Sequence, residues 1–261
     1  MACRVFSLGV VVLLCLEGCA SSVHFPSTSS VKPAMLSARL FRPNGDGPFP
    51  AMVLLHGCSG LSGHYDWWAS WFKDEGYVAL VVDSFGPRYI QNICGPQGRL
   101  TLSVSDRVGD AFGALAYVRS LPFVDQERIG VMGWSHGGST ALRTSATGVQ
   151  PLDGGFRIAV ALYPGCPSDL SSDNIPVLLL LGESDDWTPA APCVAFAQRV
   201  QQAGGMVQWT VYPGAYHGFD VPRRSRVYFG HYLNYSPQAA SDAQSRVHAF
   251  LAQYLGAGAH P

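Results

Sequence analysis

Charge is scarce and balanced in this chain: 17 Lys and Arg stand against 18 Asp and Glu in 261 residues, a formal net charge of −1. There is no basic stripe to follow a phosphate backbone and no acidic tail to meet a polycation, so no nucleic-acid partner is expected. The apolar run at the N-terminus, Val10 to Leu16, is too short to span a bilayer. The His, Cys and acidic residues show no metal-ligand spacing, and neither a metal nor a cofactor is expected. No internal repeat or second domain boundary is visible. Apolar residues make up 48% of the chain, enough for one sizeable core.

What is present at the N-terminus reads as an export signal over residues 1–18. Arg4 supplies the positive region and Val10 to Leu16 the short apolar one. The run closes on Leu16-Glu17-Gly18-Cys19, which resembles a bacterial lipobox and makes Cys19 the candidate for lipidation. Glu17 departs from the small or aliphatic residue usual there, and ordinary cleavage is the alternative. The expected location is the bacterial periplasm or outer membrane, lipid-anchored at Cys19 or secreted, with Cys19 the only expected membrane contact. Ala20 after the cysteine favours the outer membrane by the same resemblance. Removing Cys3, Cys15 and Cys19 leaves Cys58, Cys94, Cys166 and Cys193, an even set that an oxidising compartment permits to pair. Four buried thiols are the plainer alternative.

Residues 19–35 are rich in Ser, Pro and Thr and read as a flexible tether. From there one domain over 36–256 alternates apolar β-type runs (36–42, 51–56, 78–83, 129–133, 158–163, 177–182, 207–212) with helical patterns (67–75, 104–120, 140–147, 192–203, 237–255), and residues 257–261 read as a disordered tail. Continuous runs such as VALVV and VLLLL suit strands covered on both faces. Alternation of this kind predicts an α/β protein with a doubly wound, mostly parallel sheet and helices on both faces. Ligands then bind beyond the carboxyl ends of the strands.

Gly133-Trp134-Ser135-His136-Gly137 lies between a strand and a helical run, the context that GxSxG requires of the α/β-hydrolase fold. Glycines two before and two after the serine relieve clashes in a tight turn, and the following helix offers unpaired amides to developing negative charge. Ser135 is therefore the candidate nucleophile. Trp134 reads as packing, with contact to substrate as the alternative. Chain order in this fold is serine, acid, histidine, which leaves His217, His231, His248 and His260 as candidate bases. His217, just after the last strand, is favoured over His231 in a polar loop, His248 in the terminal helix and His260 in the tail. The acid should follow a strand between nucleophile and base, and Asp185 is favoured over Asp186, which reads as a turn residue ahead of Pro189. The oxyanion donors are expected at the amides of His136 and Cys58. His56 reads as a structural hydrogen-bonding residue, His64 and Tyr65 as rim residues, and the Trp67, Trp68 and Trp71 group as packing of the first helix.

The segments LLHGCSGL, VVDSFGPR, GWSHGG, LLGESDDWTP and YPGAYHGFD, in this order, resemble the dienelactone hydrolase family over about residues 36–255. The resemblance implies the α/β-hydrolase fold and an ester or lactone hydrolase acting on a small molecule. It also implies a cysteine nucleophile with a glutamate in the oxyanion loop, where this chain has Ser135 and Gly57, so the dienelactone substrate is not carried over. Arg88 matches a substrate-carboxylate-binding arginine of the family, with a loop ion pair as its plainer reading. The family's topology sets the loops side by side so that Cys58 would pair with Cys94 and Cys166 with Cys193. A peptidase or amidase with the same triad, or a non-catalytic lipid-anchored binding protein, are the competing readings.

Overall fold

In the computed structural model, residues 20–95, 97–146, 148–151, 154–168, 175–256 and 258 are described. The expected signal, Cys19, His260 and most of the expected tail lie outside them. In chain order the elements are β1 (Ser21–Pro26), β2 (Met35–Phe41), β3 (Phe49–Leu55), α1 (Gly63–Asp74), β4 (Val78–Asp83), α2 (Gly98–Thr101), α3 (Val104–Arg119), β5 (Val124–Trp134), α4 (His136–Thr144), β6 (Ile158–Leu162), β7 (Val177–Gly182), α5 (Ala190–Gln202), β8 (Val207–Tyr212), β9 (Arg226–Tyr228), β10 (His231–Leu233) and α6 (Pro237–Tyr254). The eight long strands form one sheet in the order β1-β2-β4-β3-β5-β6-β7-β8. Pairing is parallel from β4 through β8, while β2 runs antiparallel to both β1 and β4.

The apolar runs form central strands because each side chain has a core to enter. Along β3, Val53 and Leu55 join one core with Val131, Leu115, Leu142 and Phe196, contributed by β5 and by α3, α4 and α5. Met52 and Leu54 enter the opposite core with Trp68, Phe72, Val247 and Phe250 of α1 and α6. Full burial of each such side chain contributes about 1.5–3 kcal/mol, and alternation between two covered faces explains the absence of polar residues from these runs. Helix α3 starts on a capping box, in which the Ser103 hydroxyl accepts from the Asp106 amide while the Asp106 carboxylate accepts from the Ser103 amide.

Residues 21–26 correct the expectation of a tether. They pair with β2 from Ser21↔Leu40 to Pro26↔Met35, Phe25 is buried against Tyr117, and Thr28 donates to the Gly109 carbonyl of α3. The composition is that of a tether, but an open edge on β2 and a slot beside α3 give this backbone partners.

A second correction concerns His231, which opens β10 of a two-stranded antiparallel hairpin with β9 rather than lying in a polar loop. Its ring stacks on Trp187 at 4.8 Å, and His217 pairs with Leu233 of the same hairpin. Among the described residues, no helix is long and apolar enough to cross a membrane.

Candidate active site

Register brings the carboxyl ends of the parallel strands level: Leu55 faces Gly133, Trp134 faces Leu162, Leu162 faces Leu180 and Gly182 faces Tyr212. The loops after β3, β5, β6, β7 and β8 therefore open on one edge of the sheet.

Ser135 is the single residue between β5 and α4 and holds φ 53° and ψ −119°, a left-handed backbone that costs an ordinary side chain about 1–3 kcal/mol. The turn is too tight for side chains nearby. A Cβ on Gly133 would strike the Gly137 carbonyl, and one on Gly137 would strike that of Leu55. The Ser135 amide donates to Leu162 O at 2.9 Å, and its carbonyl accepts from the Ser139 amide at 2.8 Å, so both neighbouring elements hold the strained residue.

The serine, histidine and aspartate favoured from the sequence meet in one chain of hydrogen bonds. His217 Nε2 lies 2.9 Å from Ser135 Oγ, and His217 Nδ1 lies 2.8 Å from Asp185 Oδ2. Asp185 is fixed in turn: Oδ1 accepts from the amides of Trp187 and Thr188, each at 2.9 Å. Thr188 Oγ1 stands 2.9 Å from Asp185 Oδ2, 2.9 Å from Tyr163 O and 3.0 Å from His217 Nδ1. Burial alone would raise the Asp185 carboxyl, but the hydrogen bond and charge of His217, with the two amides, outweigh it and hold it below the ordinary carboxylate range. Backbone bonds from Glu183 to Tyr212 and from Ser184 to Ala215 tie the acid loop to the base loop. Asp186, the alternative acid, is half exposed and faces His231 Nδ1 at 3.4 Å. His248, within α6, has its Nδ1 3.0 Å from Glu75 Oε2.

Ser135 opens into a cleft of about 640 Å³. Cys58 and His136, expected as oxyanion donors, line it beside the serine, and the Gly57 amide beneath is already spent on Tyr65 Oη at 2.9 Å. Two disulfides, Cys58–Cys94 and Cys166–Cys193, with Cα–Cα distances of 4.9 and 5.0 Å, flank the cleft. Arg143 of α4 also lines it.

His56 behaves as a structural residue. Its Nε2 accepts from the Ser84 amide at 3.2 Å, so the proton sits on Nδ1, which donates to Gly57 O at 2.8 Å. Burial, with the charge of Arg107 adding to it, pushes its pKa well down and keeps it neutral.

Two expectations are corrected here, for Arg88 and for His64 with Tyr65, and the alternative of substrate contact by Trp134 is set aside. Arg88 does not reach the cleft: its guanidinium donates to Asp110 at 2.7 and 2.9 Å, to Ser84 O at 2.8 Å and to Lys32 O at 2.6 Å. These bonds occupy both terminal nitrogens of the guanidinium, where a substrate carboxylate would have to bind. Trp134 is only 1% exposed and its indole donates to Asp220 at 2.9 Å, so it packs and touches no substrate. His64 and Tyr65 lie beneath the edge rather than on its rim, with His64 Nε2 3.1 Å from Asp220. In the tryptophan group Trp68 is buried as expected, whereas Trp67 is half exposed.

Sequence reasoning also missed Thr188, Asp220, Tyr163 and Arg107, the last lying 3.1 Å from His136 Nδ1. Thr188 had a local signal, three residues after the acid. The other three are placed by contacts between distant segments.

A strained serine between strand and helix, joined to histidine and aspartate at the carboxyl edge of a parallel sheet, defines an α/β hydrolase. The chain belongs to the dienelactone hydrolase family, which matches residues 36–255, and is a hydrolase of that family. It is 25% identical over 236 residues to the Bradyrhizobium protein named "Probable 2-oxo-3-(5-oxofuran-2-ylidene)propanoate lactonase", covering 84% of this chain and 89% of that one. Among solved structures it shares its fold with a dienelactone hydrolase-like promiscuous phosphotriesterase from metagenomic libraries (TM-score 0.72, 18% identity, 91% and 99% of the two chains). It shares it also with Thermogutta terrifontis esterase 2 phosphorylated by paraoxon (TM-score 0.68, 18% identity, 92% and 96%).

Proposed function

We propose that this protein is an exported serine hydrolase that cleaves an ester or lactone bond of a small molecule through an acyl-enzyme on Ser135. The observation that carries this reading is the unbroken chain from Ser135 Oγ through His217 to Asp185, with links of 2.9 and 2.8 Å, at the mouth of a cleft. His217 takes the Ser135 proton as Oγ attacks the carbonyl carbon. Asp185 holds the imidazole by Nδ1–H and balances its charge. The oxyanion is received by the amides of Cys58 and His136. His217 then returns the proton to the leaving oxygen, and water attacks the acyl-enzyme by the same route in reverse. In a lactone the bond from the carbonyl carbon to the ring oxygen breaks in the first step. The hydroxyl so formed stays tethered through the carbon chain of the acyl group until water releases the hydroxy acid.

A cleft of about 640 Å³ suits a small molecule. Among the described residues that line it, Arg143 is the one Lys or Arg, which favours substrates bearing negative charge. The name of the Bradyrhizobium relative supports a lactone among them. Two disulfides support residence in an oxidising compartment, and the proposed anchor is lipid at Cys19.

The test is Ser135→Ala, expected to lower kcat on short p-nitrophenyl esters by about 10⁴-fold or more. Paraoxon should add one diethylphosphoryl group to Ser135 of the wild type and none to the variant, read by peptide mass spectrometry. Undiminished turnover by Ser135→Ala would sink the reading. A panel of esters, lactones and amides with and without a carboxylate then resolves the substrate.

A further inference from the structure

Asp220 follows His217 by three residues and is buried, with a side chain 2% exposed. A lone carboxylate there would cost several kcal/mol, so what surrounds it is informative. Three donors converge on it, with a histidine beside them. Tyr163 Oη donates to Oδ1 at 2.6 Å. Trp134 Nε1 at 2.9 Å and Trp68 Nε1 at 3.2 Å donate to Oδ2, and His64 Nε2 stands 3.1 Å from the same oxygen.

Two of these donors lead to the reacting groups. Trp134 is joined by one peptide bond to Ser135, and its fixed indole sets the direction in which β5 enters the strained turn. Tyr163, directly after β6, holds a left-handed φ of 38°. Its ring lies edge-on against the His217 imidazole at 4.7 Å, and its carbonyl accepts from Thr188 Oγ1, the hydroxyl that touches both Asp185 and His217. His64 and Trp68 belong to α1, so the same carboxylate fastens that helix beneath the edge.

We propose that Asp220 is a positioning residue for the site: one buried carboxylate that fixes, through Trp134 and Tyr163, the relative placement of Ser135, His217 and Asp185 without touching substrate. A side chain that accepts two indole N–H bonds on one oxygen and a tyrosine hydroxyl on the other, and donates nothing back, matches an ionised carboxylate. Displacements well under 1 Å between nucleophile and base are enough to slow proton transfer. The role is therefore expected in kcat rather than in substrate affinity.

The inference rests on the reading of Ser135 as nucleophile, so Ser135→Ala is assayed beside the variants. Asp220→Ala and Tyr163→Phe are measured on a p-nitrophenyl ester at a temperature where circular dichroism shows each folded. Rates are expressed per serine titrated with a fluorophosphonate, which removes any loss due to a smaller active fraction. Asp220→Ala is expected to lower kcat about tenfold or more with KM within about twofold. Tyr163→Phe, which keeps the ring against His217 and removes only the hydroxyl, is expected to lower kcat about threefold. A wild-type kcat per titrated serine in Asp220→Ala, with only its melting temperature lowered, overturns the proposal, as does a loss confined to KM. If Asp220→Ala does not fold, Tyr163→Phe decides, and a wild-type kcat there overturns it. Activity surviving in Ser135→Ala would overturn the nucleophile assignment instead, a separable outcome.

Discussion

At the scale of single residues, buried polar groups set how this protein responds to pH. His56 accepts from the Ser84 amide through Nε2, and protonation would set two N–H groups against each other. Its folded pKa lies well below the ordinary value of 6.5, from burial first and the Arg107 charge second. Below pH 6.5 the unfolded chain takes up a proton that the folded one refuses, so stability falls as pH falls, by up to about 1.4 kcal/mol per pH unit for one such group. Melting temperature should therefore drop between pH 7 and 5, and His56→Gln should flatten that slope even if it lowers stability throughout. An unchanged slope in the variant would show that His56 does not control it. Asp185 and Asp220 act in a lower window. Both are held below the ordinary carboxylate range, so their stabilisation is complete above about pH 4 and is lost as pH falls through their folded values.

At the scale of elements, the catalytic edge is a set of loops that need fastening. Cys58–Cys94 closes a span of 36 residues and holds the loop after β3, while Cys166–Cys193 closes 27 and ties the loop after β6 to α5. Loop-closure entropy gives each about 3–4 kcal/mol. Reduction without denaturant should lower the melting temperature in calorimetry. Cys94→Ser should also lower kcat, because its partner Cys58 carries one of the two proposed oxyanion amides. An identical thermogram with and without reductant would show that the bridges stabilise nothing. The elements themselves were largely legible: β4, β7 and β8 run over the residues that their apolar runs mark out. β1 and the β9–β10 hairpin were not, because Ser21–Pro26 and Arg226–Leu233 present mostly exposed side chains and owe their strand form to neighbouring backbone.

At the scale of the whole molecule, strand direction relates the proposed anchor to the cleft. β1 runs in the same sense as the parallel strands, so its first residues point toward their amino ends, where Ala20 stands beside Arg42, Lys73 and Phe123. Ser135 is at the opposite edge. A lipid on Cys19 would thus hold the bilayer at one end and face the cleft to water, suiting a soluble substrate. Cys19→Ala should move the protein from the membrane to the soluble fraction with ester turnover unchanged, and the mature N-terminal peptide should carry lipid in mass spectrometry. An unmodified N-terminus would refute the anchor.

The chain's own pattern determined the doubly wound sheet and singled out Ser135, Asp185 and His217, which the fold brings within hydrogen-bond reach of one another. Those depend on signals within a few residues: unbroken apolar runs, glycines that relieve one turn, and loops that begin where strands end. Only the tertiary structure decided that Arg88 is spent on Asp110, that the Trp134 indole is tied to Asp220, and that Asp220 underlies the site. Trp68 and Trp134 reach Asp220 across 152 and 86 residues. Whether a polar group binds substrate or serves the core depends on which donors reach it once water has been excluded, and spacing along the chain does not encode that.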